Sequence, residues 1–346
     1  MLYESTRSKG VTFSALRALK DERAPDGGFY VPAALPYYAP KPLGLLLQEE
    51  TGEIIIRILN DFFDVKLGQP DLKFALGSRF FGLARINHRI IIGELWRNSE
   101  WSFDGVCRRL AERMSPELAI QAPGMWIRIA CRIALVFAMY ARLQTAGVIE
   151  EGEKVDMAVL TGDFEGPYAL WAARKMGLPI GQIVCCCNEN SGVWDLFNRG
   201  QIKLNARTIQ TQTPKCDRAA PPALEMLIHG TLEQADLQEY LEVLERGGTY
   251  FVPMDRCQWI QEGFSASVVN GGRAKLAIPN LFSTNGYILC PYSALVYTGL
   301  LDYRSSPGPR RAALMLTDYD PRDSADTVTR ALAISDRELR RWCQHG

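Results

Sequence analysis

Apolar and polar residues recur along this chain with two different periods. In residues 53–67 the apolar positions follow helical spacing with polar residues between them, which predicts an amphipathic helix. Two short extended segments follow at 80–86 and 89–95, separated by a two-residue turn. A long apolar stretch then predicts a core helix over 126–145.

The middle of the chain predicts a strand over 155–160, a glycine-containing loop over 162–166, a helix over 168–176 and a strand over 182–187. This order is typical of a βαβ unit, and it indicates a parallel sheet with helices on its faces. Further along, the pattern predicts helices over 222–229, 232–244 and 292–301, and strands over 286–289 and 312–317.

Composition excludes several classes of protein. A chain of 346 residues can bury a large core, and its 39 basic and 39 acidic residues leave no net field that would attract nucleic acid or an anionic membrane. The apolar run at 133–141 is shorter than the roughly 20 residues that a membrane-spanning helix needs. No secretory signal is visible at the N-terminus, so we expect a cytoplasmic protein.

The nine cysteines do not form a recognisable metal site. Cys185, Cys186 and Cys187 are consecutive on a predicted strand, where neighbouring side chains point to opposite faces and cannot comfortably share one ion. No CxxC pair is present, and the three histidines are far apart in sequence. We therefore expect buried, reduced cysteines and no metal.

Several segments carry specific motifs. Residues 5–7 read S-T-R and residues 24–32 read A-P-D-G-G-F-Y-V-P. Residues 161–166 read T-G-D-F-E-G, and residues 172–180 read A-A-R-K-M-G-L-P-I. These segments resemble the N-terminal signature, the phosphate loop and a helix end of the threonine synthase family, and the resemblance extends over nearly the whole chain.

The resemblance implies a fold and a cofactor. Threonine synthases are fold-type-II pyridoxal-phosphate enzymes, related in fold to the tryptophan synthase β subunit, in which a lysine amine forms a Schiff base with the cofactor. An α/β fold with a three-layer parallel sheet is therefore expected, with pyridoxal phosphate as the cofactor of the family.

Asp104 stands where that family has its catalytic lysine. Residues 94–105 read E-L-W-R-N-S-E-W-S-F-D-G and match the family segment without a gap. A carboxylate cannot form an imine, so the resemblance assigns no catalytic residue to this chain and we expect no covalent cofactor bond.

The small domain of the family is largely missing. After Asp104 only residues 105–123 precede the point where the family pattern resumes, and no S-G-D-T-G substrate loop is present. The resemblance implies an N-terminal lobe over 1–85, a remnant of the small domain over 86–123 and a large α/β domain over 124–346.

The phosphate loop is altered in a way that bears on cofactor binding. Asp163 and Glu165 replace uncharged residues of the family pattern, and each would repel a phosphate at a helix N-terminus by ~1 kcal/mol per close pair in water. The resemblance places the cofactor-binding positions in this degenerate loop, at Thr161, Gly162, Asp163, Phe164, Glu165 and Gly166, with Thr317 at the ring nitrogen.

Three functions remain open at this point. The first is a pseudoenzyme that serves as a binding or interaction subunit. The second is an active pyridoxal-phosphate-dependent lyase whose catalytic groups are relocated or supplied by a partner chain. The third is a different use of a cleft containing the carboxylates Glu100, Asp104, Asp163 and Glu165. An apolar rim expected around 115–124 would suit a second copy of the chain or another protein subunit.

Overall fold

The computed structural model describes residues 1–115, 124–308 and 310–345. The N-terminal region contains a three-stranded antiparallel sheet followed by a group of helices. Its elements are β1 (Leu2–Ser5), β2 (Thr12–Ser14), α1 (Ala15–Lys20), β3 (Tyr30–Pro32), α2 (Pro40–Leu46), α3 (Thr51–Phe62) and α4 (Gln69–Leu76). The strand order in this sheet is β2-β1-β3.

The rest of the described chain is built around a second, larger sheet. Its elements are β4 (Gly82–Arg85), β5 (Ile90–Glu94), α5 (Phe103–Met114), α6 (Met125–Thr145), β6 (Val155–Leu160), α7 (Glu165–Lys175), β7 (Ile180–Cys187), α8 (Gly192–Arg199), β8 (Gln201–Lys203), α9 (Leu224–Thr231), α10 (Gln234–Arg246), β9 (Thr249–Phe251), α11 (Cys257–Gln261), β10 (Phe264–Val268), α12 (Gly271–Asn285), α13 (Pro291–Ser305), β11 (Ala313–Thr317), α14 (Ala325–Leu332) and α15 (Asp336–His345). Strands β8 and β9 form a separate antiparallel pair.

The large sheet has six strands in the order β10-β7-β6-β11-β5-β4. Strands β10, β7, β6, β11 and β5 are parallel, as the βαβ pattern predicts, whereas β4 runs antiparallel to β5 at the edge. An antiparallel edge strand is possible here because β4 and β5 are joined by a short turn rather than by a crossover helix. The described residues contain no second parallel sheet.

Helices cover both faces of this sheet, which makes three layers. Met157, Val159 and Leu314 face the core that contains α6 and α7. Ala158 and Ala313 face the opposite core, against α12 and α13. The alternation follows from the strand period of two residues, so buried parallel strands must be apolar on both faces.

The prediction of a strand over 286–289 is wrong. Gly286 ends α12 in the left-handed conformation, with a φ of +69°, and the next residues run as an unpaired connection to α13 at Pro291. Ile288 and Leu289 are nevertheless buried. Their apolar character reflects packing of this connection rather than pairing in a sheet.

The three consecutive cysteines divide between the two cores, as their spacing predicts. Cys185 and Cys187 pack on the α6 side of the sheet and Cys186 packs on the α13 side. All three side chains are fully buried, and burial raises the pKa of each thiol. Across the part of the chain that the structure describes, no group of His, Cys, Asp or Glu could hold a metal ion.

Strands β4 and β5 lie on either side of the boundary expected between residues 85 and 86, and they pair within one sheet. The three-domain division stays a prediction. Most of the apolar rim expected around 115–124 lies outside the described residues, because 116–123 are not among them. Among the described helices, none has both the length and the apolar character to cross a bilayer.

Candidate functional site

An open cleft of about 890 Å³ lies at the carboxyl-terminal edge of the large sheet. It is bordered by the ends of β6 and β11 and by the N-termini of α5 and α7, and α6 contributes side chains along its wall. Parallel strands all end at the same edge of a sheet, so residues distant in sequence meet there. Asp104, Asp163 and Glu165, which differ from the family pattern in the sequence, all line this cleft.

The loop between β6 and α7 forms one side of the cleft. The Thr161 N–H donates to the Cys186 carbonyl, 3.1 Å away, which ties the loop to the neighbouring strand. Phe164 precedes α7 in the left-handed conformation and is fully buried, with its ring stacked on Phe197. A Cβ added to Gly166 would lie 2.6 Å from the Val159 side chain, so this glycine allows α7 to start close to β6.

Glu165, the first residue of α7, is held by two arginines of α6. Its carboxylate oxygens accept bonds of 3.0 Å from Arg128 Nε and of 2.5 Å from Arg128 Nη2. Arg132 Nη1 lies 3.8 Å away. Burial lowers the pKa of Arg128, but the bonds to Glu165 outweigh this effect and the pKa is raised overall.

Arg132 is almost completely buried at the base of the cleft. Its Nη2 donates to Asp318 Oδ2 at 2.5 Å, and its guanidinium lies over the Phe103 ring, 4.5 Å from the centroid. Its Nε and Nη1 atoms are buried without a hydrogen-bond partner among the described residues. A buried arginine with unsatisfied donors is costly unless nearby negative charge compensates it.

Asp163 is also paired, but near solvent. Its Oδ1 lies 2.7 Å from Arg218 Nε, and both side chains are more than one third exposed. The sequence predicts that Asp163 and Glu165 act as repelling charges in the cleft. The structure instead pairs each with an arginine, so repulsion of an anion by these carboxylates is largely cancelled.

Asp104 is the second residue of α5, where it is exposed and lines the cleft. The Ser102 hydroxyl caps this helix by accepting a bond from the Gly105 N–H at 3.1 Å. Glu100 also lines the cleft and pairs with Arg109 at 2.8 Å. The structure thus brings together Glu100, Asp104, Asp163 and Glu165, as the sequence predicts.

Two of the predicted site residues do not line the cleft. Phe164 is buried below the loop. Thr317 is buried at the end of β11, where its carbonyl accepts a bond of 3.0 Å from the Leu95 N–H, and the next residues, Asp318 and Tyr319, line the cleft instead. A shift of one residue along a strand turns a side chain to the other face.

The sequence did not predict the five basic residues that line the cleft, which are Arg108, Arg128, Arg132, Lys215 and Arg218. Arg128 and Arg132 are spaced four residues apart on an otherwise apolar helix, and that spacing could have marked them as one charged face. Lys215 and Arg218 lie in an irregular connection, where no periodic signal exists. The Lys215 ammonium lies 4.8 Å from the centroid of the Tyr319 ring.

The N-terminal S-T-R motif has a structural role away from the cleft. Thr6 Oγ1 donates to Glu225 Oε1 at 2.5 Å, and Arg7 binds both oxygens of the same carboxylate at 3.1 and 2.9 Å. Glu225 lies on α9 and is almost fully buried. The motif therefore attaches the start of the chain to the large α/β region.

Comparison with known families and proteins identifies relatives of this chain. The family described as the threonine synthase N terminus matches residues 2–78. Human threonine synthase-like 1 is 28% identical over 173 residues, which is 49% of this chain and 23% of that protein. The threonine synthase of Methylobacillus glycogenes is 27% identical over 129 residues, 36% of this chain and 26% of that enzyme. The chain thus matches about a quarter of each relative's length.

Solved structures extend the similarity to the whole fold. The pyridoxal-phosphate-bound threonine synthase from Brucella melitensis has a TM-score of 0.84 at 18% identity, with 100% of this chain and 95% of that chain covered. The yeast threonine synthase has a TM-score of 0.83 at 16% identity, with 99% and 94% covered. At such identities the similarity establishes the fold alone, and it confirms the predicted fold-type-II class.

Proposed function

We propose that this chain, which is similar to threonine synthases in sequence and in fold, is a binding or interaction subunit without covalent pyridoxal-phosphate chemistry. The observation that carries the proposal is that Asp104 lines the cleft. By the sequence resemblance, Asp104 stands where the family has its lysine. A carboxylate has no amine to condense with a cofactor aldehyde. The conversion of phosphohomoserine to threonine is therefore lost in this proposal.

The residues of the cleft do not fit a phosphate-bearing cofactor. A phosphate group would sit at the N-terminus of α7, where helix N–H groups and a partial positive charge favour anions. The first residue of that helix is Glu165, whose carboxylate is already bound by Arg128. Arg132 is likewise bound by Asp318. Because both arginines are engaged by protein carboxylates, neither is free to hold a cofactor phosphate.

A second candidate function has one observation in its favour. Among the described residues that line the cleft, Lys215 is the only lysine. An active lyase with relocated groups would need such an amine, whereas in a lyase completed by a partner chain the partner would supply the catalytic groups. Lys215 comes from a short 3₁₀ turn after β8, far in sequence from the position of the family's lysine.

The proposed subunit acts in the cytoplasm and pairs with a second copy of itself or with another protein. Its support is the sequence pattern: equal numbers of basic and acidic residues, which leave no net field to attract nucleic acid or a membrane, and the shortened small domain that the resemblance implies. Analytical ultracentrifugation of the purified chain tests self-association, and a monomer at all concentrations would leave only the heterologous partner.

Borohydride trapping tests the loss of covalent chemistry. The purified chain, incubated with pyridoxal phosphate and reduced with borohydride, should carry no stoichiometric adduct on any lysine and show no stable visible absorbance after dialysis. The reason is that Asp104 offers no amine. Peptide mass spectrometry locates any adduct, and a yeast threonine synthase treated in parallel is the positive control.

An adduct on Lys215 that disappears in Lys215→Arg would contradict the pseudoenzyme proposal and favour relocated chemistry. Arginine keeps the positive charge near Tyr319 but cannot form the imine under these conditions. The same variant therefore distinguishes covalent attachment of pyridoxal phosphate to the Lys215 amine from electrostatic attraction of the cofactor to the cleft.

Asp104→Lys alone should not restore threonine synthase activity. The new amine would stand at the N-terminus of α5, but Glu165 and Asp318 would still hold the arginines of the cleft. We expect no threonine release from phosphohomoserine above the rate of the unmodified chain, measured by chromatography of the products. Activity that rises with enzyme concentration in this single variant would show that the other changes matter little.

A further inference from the structure

The N-terminus of α7 has the features of an anion site. The helix is 11 residues long and begins at Glu165, and its preceding residue Phe164 provides no side-chain cap. The first N–H groups of a helix have no partner within the helix, and the helix dipole adds partial positive charge there. On this basis alone the end of a helix would not define a site.

Arg132 supplies an independent indication. Its side chain is 5% exposed, and its Nε and Nη1 atoms lack a hydrogen-bond partner among the described residues. Nη1 lies 3.8 Å from the Glu165 carboxylate, beyond hydrogen-bond distance but close enough for strong attraction where water is excluded. Unsatisfied guanidinium donors that are buried beside the N-terminus of α7 are stabilised by an anionic group at that end of the helix.

We propose that Glu165 is an internal ligand, whose carboxylate fills an anion site formed by the N-terminus of α7, Arg128 and Arg132. The inference rests on the proposed non-catalytic function and adds the physical means by which a phosphate is kept out. The site is blocked by a protein carboxylate that occupies it.

Occupancy and repulsion lead to different expectations for the two carboxylates of the loop. Glu165 is 10% exposed and contacts both arginines, whereas Asp163 is 38% exposed and pairs with the half-exposed Arg218. If net repulsion excluded anions, removal of either charge would help. If occupancy excludes them, only removal of Glu165 opens the site, because Asp163 lies outside it.

Glu165→Ala tests the proposal, with Asp163→Asn as the matched control. Each variant is titrated with inorganic phosphate by calorimetry, and the thermal unfolding of each is followed with increasing phosphate. We expect phosphate to bind Glu165→Ala at least about tenfold more tightly than the unmodified chain, as expected when one or two charge-assisted bonds are gained. Bound phosphate should also raise the unfolding temperature of this variant. Asp163→Asn should behave like the unmodified chain.

Glu165→Gln provides a second measurement in case the alanine variant does not fold, as judged by circular dichroism. Glutamine keeps the volume and removes the charge, so its phosphate affinity should exceed that of the unmodified chain while remaining below that of alanine. Equal affinity in a folded Glu165→Ala and the unmodified chain would overturn the proposal. So would an equal gain in Asp163→Asn, or unchanged affinity in Glu165→Gln when alanine is unfolded.

Failure of this inference is distinguishable from failure of the proposed function. The titration uses inorganic phosphate, which has no aldehyde, and therefore does not depend on any lysine. A trapped lysine adduct in the unmodified chain would refute the loss of covalent chemistry, whereas the phosphate titrations decide only whether Glu165 occupies the anion site.

Discussion

Trp126→Ala should destabilise the protein by about 3–5 kcal/mol, which is the usual loss when a buried large aromatic side chain is removed. Trp126 is the second residue of α6 and is only 2% exposed. Its ring meets Tyr3 of β1 and Phe62 of α3 at centroid distances of 5.5 Å, and Tyr168 of α7 at 6.3 Å. Chemical denaturation followed by circular dichroism measures the loss.

Trp259→Ala is the matched control, because the Trp259 side chain is 48% exposed. A surface substitution of this kind changes stability by about 0.5 kcal/mol or less. Since Trp126 joins the N-terminal elements to the large α/β region, we also expect one cooperative unfolding transition. Similar losses in both variants, or a separate early transition of the N-terminal region, would contradict this interpretation of the packing.

Arg7→Ala should destabilise the protein by about 3 kcal/mol, the lower part of the range for breaking a buried ion pair. Without Arg7, the Glu225 carboxylate would remain buried, and among the described residues the Thr6 hydroxyl would be its remaining side-chain donor. The lower value applies because Arg7 is itself 29% exposed, so water can replace part of its contribution. Thermal and chemical unfolding of the variant measure the difference.

Two further variants separate the buried pair from ordinary surface charge. Adding Glu225→Gln to Arg7→Ala removes the stranded charge and should recover part of the lost stability, since an uncharged amide is less costly to bury. Arg17→Ala breaks an exposed pair with Asp21 and should cost roughly 0.5 kcal/mol or less. If Arg7→Ala cost no more than Arg17→Ala, the Arg7–Glu225 pair would have no role in attaching the N-terminus.

The elements with strong local periodicity could be predicted from the sequence. The helix α6 and the βαβ unit of β6, α7 and β7 lie within a few residues of their predicted positions. Their apolar spacing is set by the geometry of a helix or a strand and needs no knowledge of distant residues. The prediction of a strand over 286–289 was wrong because a short apolar run has the same sequence pattern whether it pairs in a sheet or packs as an irregular connection.

The partners of the cleft residues could not be predicted in this way. Arg132 and Asp318 are separated by 186 residues in sequence, and Arg128 and Glu165 by 37. No local pattern links them. The sequence shows Asp163 and Glu165 as two equivalent acidic substitutions, whereas the structure places one in a buried arginine cluster and the other near solvent.

The sequence by itself determined the chemistry that Asp104 cannot perform, because a carboxylate lacks an amine in any fold. It also determined the family resemblance and the order of the main helices and strands, which depend on residue identity and short-range spacing. Only the tertiary structure decided which charges in the cleft are compensated. Electrostatic energy depends on the distance between two groups and on how much water surrounds them, and both are set when α6, α7 and the end of β11 pack together.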